Sequence, residues 1–312
     1  MKRLFCLAIV LIFVSVLSMP VVSAGSGTTS KSQTETPKPA PKILYTASKS
    51  EIDATNKDKG YLVIRYLKET NKKLKIRVIK LKSDGTEQSN YVYDLNSKGK
   101  QETFSLTDGS GKYQIKVLEN IEGNSYAVQQ NQTIDVKIAN AFDPFLIPIQ
   151  YVNYTNSSKA VVKARELTKN CKNDLQKVQE IYKFILNNIV YDYNKANKVV
   201  NGELNGYVPV VDVILNNKKG ICFDYSSLMA AMLRSVGIPT KLIMGYVAPN
   251  NAYHAWNDVY IKGTGWIKIN SQVYFDGKKY SRMDSTFAAA NKSGKQTAFI
   301  GNGKNYAPLY QY

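Results

Sequence analysis

The spacing of apolar positions along this 312-residue chain changes character several times. Residues 4–17 form an almost unbroken apolar run. Residues 25–42 are rich in Ser, Thr, Pro and Lys and carry no periodic apolar face, which predicts a disordered or extended linker. From residue 43 to about residue 140 the period is two. Residues 60–66 and 74–80 alternate apolar with polar or basic side chains, as half-buried strands do. Residues 91–93, 113–117 and 133–138 continue the pattern, with Ser83-Asp84-Gly85 and Ser110-Gly111 as turns. Short strands separated by turn residues predict an all-β, sandwich-like domain over residues 43–140.

Beyond residue 153 the period becomes helical. Residues 157–167 and 175–189 have helical apolar spacing. In the second, Val178, Ile181, Tyr182, Ile185 and Leu186 share a face, and Asn173 or Asp174 supplies the N-cap. A third helix is predicted over 227–236, amphipathic through Leu228, Ala231, Met232 and Val236 and stopped by Gly237 and Pro239. Residues 240–247 and 253–261 then read as strands. Asp276-Gly277 is a hairpin turn between two more, the second ending at Asp284. The whole of 141–312 is therefore expected to be an α+β domain following the all-β one.

Charge and compartment add to this. The formal net charge is +18, from 42 Lys and Arg against 24 Asp and Glu. Lys2 and Arg3 precede the apolar run, and Val22-Ser23-Ala24 offers small residues before a cut at Gly25. That layout is a signal peptide over residues 1–24 and predicts a secreted protein, with association with the cell wall as a further expectation. The run is short for a spanning helix, and no later segment is long and apolar enough to cross a bilayer, so no transmembrane segment is expected after cleavage. The lysines are spread along the chain without an Arg-rich helix or nucleic-acid motif, so nucleic acid is not an expected partner. For an exported protein an anionic cell-wall polymer is the more economical one. Cleavage would remove Cys6 and leave Cys171 and Cys222, read as two free thiols rather than a disulfide.

Three segments carry chemistry. Lys219-Gly220-Ile221-Cys222-Phe223-Asp224 puts Cys222 at or near a helix N-terminus, where unpaired N–H groups and partial positive charge stabilise a thiolate and can receive an oxyanion. Gly220 permits a tight approach into that turn. Alone, a Cys before an apolar helix is more often a packed small hydrophobe. Tyr253-His254-Ala255-Trp256-Asn257-Asp258 holds the chain's one histidine, and alternation places His254, Trp256, Asp258 and Tyr260 on one face of the strand. No second His or Cys pair accompanies it, so a metal site is not expected. Asp284 ends the third segment. Together these supply a nucleophile, a base and an orienting acid in the order Cys222, His254, Asp284.

Gly-x-Cys at a helix start, His-Ala-Trp-Asn-Asp on a strand and Asp-Ser-Thr after a turn resemble the transglutaminase-like superfamily over roughly residues 160–290. The resemblance implies a papain-like α+β fold with the Cys helix packed on an antiparallel sheet. It implies Cys222 as nucleophile, His254 as general base and acid, Asp284 as orienting acid, and Trp256 and Asp258 in supporting positions. Val236-Gly237-Ile238-Pro239-Thr240 also matches the family's link out of the Cys helix. The interval from His254 to Asp284 is long, and Asn270 is an alternative orienting residue. No acidic loops suggest calcium, and no cofactor is expected. The function implied is a secreted thiol enzyme on amide bonds of protein or peptide, by acyl transfer and cross-linking or by hydrolysis, through a Cys thioester. The alternative is a non-catalytic cell-wall or surface binding protein with a degenerate domain of this kind.

Overall fold

Alternating side chains need two faces of different character, and the strands of the first half provide them. The computed structural model describes residues 41–248, 251–270, 273–275, 280–282 and 306–312. Eight strands come first: β1 (Leu44–Thr46), β2 (Ser50–Asp53), β3 (Tyr61–Tyr66), β4 (Leu74–Leu81), β5 (Glu87–Leu95), β6 (Glu102–Ser105), β7 (Gly111–Glu122) and β8 (Ser125–Val136). They make two antiparallel four-stranded sheets, in the orders β1-β2-β3-β6 and β5-β4-β7-β8. The inward residues Leu62, Ile64 and Tyr66 of β3, Ile76 and Val78 of β4, and Tyr113, Ile115 and Val117 of β7 are buried in one core. This is the period-two pattern read as packing. The two sheets are also tied by polar contacts. Glu119 of β7 occupies the next inward position, accepts from Lys49 Nζ at 2.8 Å and from the Tyr66 hydroxyl, and pairs with Lys72 Nζ at 3.2 Å.

The helical half follows: α1 (Lys159–Thr168), α2 (Asp174–Asn188), the two-residue strand β9 (Val190–Tyr191), α3 (Tyr193–Val200), α4 (Val211–Asn217), β10 (Lys219–Gly220) and α5 (Cys222–Ser235). Asn173 caps α2 by accepting from the Gln176 N–H at 2.9 Å, as its side chain predicts. Val178, Ile181, Tyr182 and Ile185 are the buried stripe of α2. In α5 every residue from Ser226 to Arg234 is buried. This helix is not amphipathic in practice: α1, α2 and α4 pack around it and strands cover the remaining side, so it is the central element of its half.

The strands against α5 are β11 (Thr240–Val247), β12 (Ala252–Ile261), β13 (Gly265–Asn270) and β16 (Tyr306–Gln311), in the antiparallel order β13-β12-β11-β16. Between β13 and β16 in sequence, β14 (Val273–Phe275) and β15 (Tyr280–Arg282) pair as a hairpin around the predicted Asp276-Gly277 turn, whose residues lie outside those described. β14 lies against β12.

The two halves share a core. Residues of both sheets of the sandwich, of α1, α2 and α5, and of β11 and β12 belong to a single buried cluster, and Ala40–Tyr312 forms one unit. Much of the seam is tyrosine. Tyr91 and Tyr93 of β5 touch Tyr312, Tyr93 touches Tyr151, and Tyr151 meets Phe223 of α5 at 5.4 Å between ring centroids. At the far end of the sheet Phe142 and Phe145 pack on Tyr260 and Trp266. Arg234 completes the join, donating to the carbonyls of Thr240, Ile147 and Tyr312 at 2.8–2.9 Å.

Candidate active site

Cys222 is the first residue of α5, after the extended N-cap Ile221. Four backbone N–H groups at such an end lack helical partners. One is satisfied from within: the Asp224 carboxylate, one turn into the helix, accepts from the Ile221 N–H at 2.8 Å. Gly220 makes room for this, because a Cβ there would stand 2.5 Å from the Asp224 Cβ. Others face the sulfur. The N–H groups of Phe223 and Cys222 act on the thiol, and so does the backbone N–H of Ala255 on β12. All three favour the thiolate, as the helix-end argument predicts. Burial works against them and wins, so the Cys222 thiol is pushed up to about 11, with the Asp224 charge adding a smaller push in the same direction. Cys222 keeps some exposed surface, but its sulfur is packed inside. Cys222 and Cys171 are both free thiols, and Cys171 makes only a weak contact with the Leu167 carbonyl, at 3.9 Å.

The Ala255 contact brings β12 to the nucleophile. Among the described residues the β12–β13 ladder runs from Ile261↔Gly265 to Trp256↔Asn270, and Ala255 is the next residue of β12. His254 is the next residue along. It stands opposite Gly245 of β11 and is 4% exposed. Trp256 and Asp258 follow it on the same face of the strand. Trp256 is fully buried between Ile243, Val247 and Tyr306, with Lys268 Nζ 5.5 Å from its ring. Asp258 stands between its cross-strand neighbours Lys241 and Lys268; burial raises its carboxyl above the usual range and the two lysines pull it back. These two residues shape the sheet behind His254 and do not reach Cys222 in any described contact. On the other face, Asn257 fastens β12 to the Cys helix: its amide donates to the Ser226 carbonyl at 3.0 Å and to that of Lys241 at 3.1 Å.

Asp284 lies outside the described residues. The hairpin β14–β15 stops two residues short of it and rests against β12. Asn270 is the last residue of β13, paired in register with Trp256.

One cluster beside Cys222 was not anticipated from sequence. The Asp224 carboxylate is 0% exposed; besides Ile221 it accepts from Lys195 Nζ at 2.7 Å and from the Tyr207 hydroxyl at 2.6 Å. Lys195 Nζ also contacts the Tyr207 hydroxyl and lies 3.8 Å from the centre of its ring. Burial and the Asp224 hydrogen bond both raise the Tyr207 phenol, keeping it a donor. No group of three or more His, Cys, Asp or Glu suited to a metal occurs among the described residues, and none of their helices is long and apolar enough to cross a membrane.

A Cys at the start of a buried helix, laid against the strand that carries His254, defines a class, and comparison with known proteins gives the same one. Residues 162–271 match the model of the transglutaminase-like superfamily, a stretch that includes Cys222, His254 and Asn270 and stops short of Asp284. Over that stretch, less than half of its length, the chain is transglutaminase-like. Over 201 residues it is 23% identical to the uncharacterized protein YebA of Bacillus subtilis, covering 58% of this chain and 27% of that protein. Over 124 residues it is 30% identical to a UPF0252 protein of Methanocaldococcus jannaschii, covering 37% of this chain and 35% of that one. The matched stretches are therefore a minor part of both relatives. Among solved structures, a candidate cysteine protease from Cytophaga hutchinsonii aligns over 87% of this chain and 84% of its own, with 15% identity and a TM-score of 0.39. Red sea bream transglutaminase aligns over 70% of this chain and 49% of its own, with 12% identity and a TM-score of 0.26. Likenesses this remote do not bear on activity.

Proposed function

We propose that this protein is a secreted thiol enzyme that cleaves or transfers amide bonds of protein or peptide through a thioester on Cys222. One observation supports the reading above all: Cys222 is the first residue of α5, and α5 packs against β12, the strand that carries His254. In the reaction His254 takes the thiol proton and the sulfur attacks the amide carbonyl carbon. The oxyanion is received by the N–H groups at the helix start, which now face the sulfur. His254 returns the proton to the departing nitrogen as the C–N bond breaks, leaving the thioester. An amine or water then gives a proton to His254, attacks the thioester and restores the thiol. Cross-linking and hydrolysis differ only in that second nucleophile. Because burial raises the thiol to about 11, the sulfur needs a base to lose its proton, and His254 is that base in this reading. Asp284 orients the imidazole in this reading, and Asn270 is the alternative. The residue 1–24 leader directs export, and the cationic surface suits an anionic cell-wall polymer.

The test is intact-mass detection of an acyl adduct on Cys222 with glutamine-containing and wall-type peptides, with and without a primary amine. An adduct in the wild type, absent in Cys222→Ala and consumed by amine or water, is the expected result. No adduct and no product under any of these conditions would refute it. Within the reaction, Asp284→Ala should lower turnover strongly and Asn270→Ala should not; the reverse would transfer the orienting role to Asn270.

A second reading draws on the same raised thiol. A sulfur that stays protonated at neutral pH suits a non-catalytic surface-binding protein that retains the site as packing. In that case Cys222 reacts no faster than Cys171.

A further inference from the structure

We propose that Lys195, Tyr207 and Asp224 form a charge-balanced clamp that positions Cys222 and makes its thiolate attainable. The proposal rests on the reading of Cys222 as a nucleophile and deepens it by naming positioning residues from a separate part of the chain. Three features carry it. First, Asp224 belongs to α5 and holds the N–H of Ile221, the residue immediately before the nucleophile. Its oxygens are fully used: one accepts from Lys195 and Ile221, the other from Tyr207. Second, the clamp's other half comes from α3 and the turn after it. That segment is fixed to the same corner, because the Asp192 carboxylate caps α3 at the Lys195 N–H and the Asp192 N–H donates to the Gly220 carbonyl. Third, the carboxylate at the centre is buried and its partners are half-buried: Asp224 is 0% exposed and the Lys195 side chain 19%.

A buried carboxylate within a turn of a nucleophilic sulfur opposes a second negative charge there. The Asp224 charge does act on Cys222 in that direction. An ammonium 2.7 Å from the carboxylate opposes that field, which a neutral tyrosine could not do. Asp224 is therefore kept for geometry, and Lys195 offsets part of the electrostatic cost of keeping it. Among the described residues Tyr253 of β12 also interacts electrostatically with the sulfur, and His254 follows it on that strand.

The test reads Cys222 directly and needs no substrate. Iodoacetamide labelling of Cys222 is followed against pH by mass spectrometry, in folded variants checked by a cooperative melt. In Lys195→Met the Asp224 charge is left unbalanced, so the labelling midpoint should rise by about one pH unit or more. In Asp224→Asn the Lys195 charge is left over, so the midpoint should fall. The double variant should return close to wild type, Lys195→Arg should keep the wild-type midpoint, and Lys163→Met, which removes the same charge from the surface of α1, should leave it unmoved. A role in folding alone would shift the two single variants in the same direction or not at all, and that result would overturn the clamp. Should Lys195→Met fail to fold, Asp224→Asn decides the matter alone: an unchanged or raised midpoint overturns it. Wild-type labelling that begins only near the isolated thiol value would refute the enzyme reading, while opposite shifts in the variants would still uphold the clamp.

Discussion

Asn257 illustrates how much of the site depends on single polar atoms. Its two amide protons reach one carbonyl on α5 and one on β11, so a single side chain holds the His254 strand against the Cys222 helix and its neighbour. Asn257→Ala should cost about 1–3 kcal/mol, because a buried carbonyl and a partly buried one lose a donor. Asn257→Asp should cost more, because a carboxylate would face those carbonyls. Thermal melts check both, and a melting temperature unchanged within a degree in either would refute the assignment. Asn257 also shows where sequence reading stops. Cys222 and His254 were legible because rare residue types stood in a short, specific pattern. Alternation on β12 then drew attention to His254, Trp256 and Asp258, and Asn257 on the opposite face passed unremarked. Asp224 reads as an ordinary acidic residue in a first helical turn, and Lys195 lies in a stretch with no apolar period. Only the fold brings them together, 29 residues apart in sequence.

At the scale of elements, β3, β4, β11 and β12 and the helices α1 and α2 were predicted close to their observed bounds, while β5, β7 and β8 were read only in part. The short strands β1, β2 and β6 and the short helices α3 and α4 were not predicted, since three to eight residues hold too little of either period to be distinctive. Helix α5 was found, yet its apolar spacing suggested one buried face where the structure buries all of them. The sandwich carries a prediction of its own. Glu119 links the two sheets, and its hydrogen bonds from Lys49 and Tyr66 hold its carboxyl down to about 2 from an ordinary 4.5. A carboxylate with a lowered folded value contributes stability that is present above its unfolded value and lost as pH falls through the folded one. Urea unfolding should therefore show Glu119→Gln less stable than wild type at pH 7. The difference should shrink as pH is lowered from about 4.5 toward 2. A gap that stays constant over that range would show that the ionised form contributes nothing.

For the whole molecule, the unusual feature of the composition, 22 tyrosines, acquires a structural reason. Tyr91, Tyr93, Tyr151, Tyr310 and Tyr312 form a continuous ring-to-ring seam from the sandwich to Phe223, the residue after the nucleophile. A change of hydrophobic period along the chain suggested two bodies; it could not show that both bury their aromatics against each other, because such contacts have no local signature. The seam predicts one cooperative unfolding transition by calorimetry for the sandwich and the helical half together. Tyr93→Ala, which opens a cavity at its centre, should lower that single transition by several degrees, in keeping with roughly 3–5 kcal/mol for loss of a buried aromatic ring. Two separate transitions in the wild type would refute a shared core.

The central claim is that Cys222 is activated by His254, and the rate of Cys222 alkylation against pH in wild type and in His254→Gln tests it most directly, with Cys171 as the internal reference. The account predicts that wild-type Cys222 is labelled quickly down to well below the free-thiol value of about 8.5. In His254→Gln the same sulfur, left with burial alone, should be labelled slowly, with a midpoint near 11. Identical profiles in the two proteins, with Cys222 no faster than Cys171 at neutral pH, would contradict it.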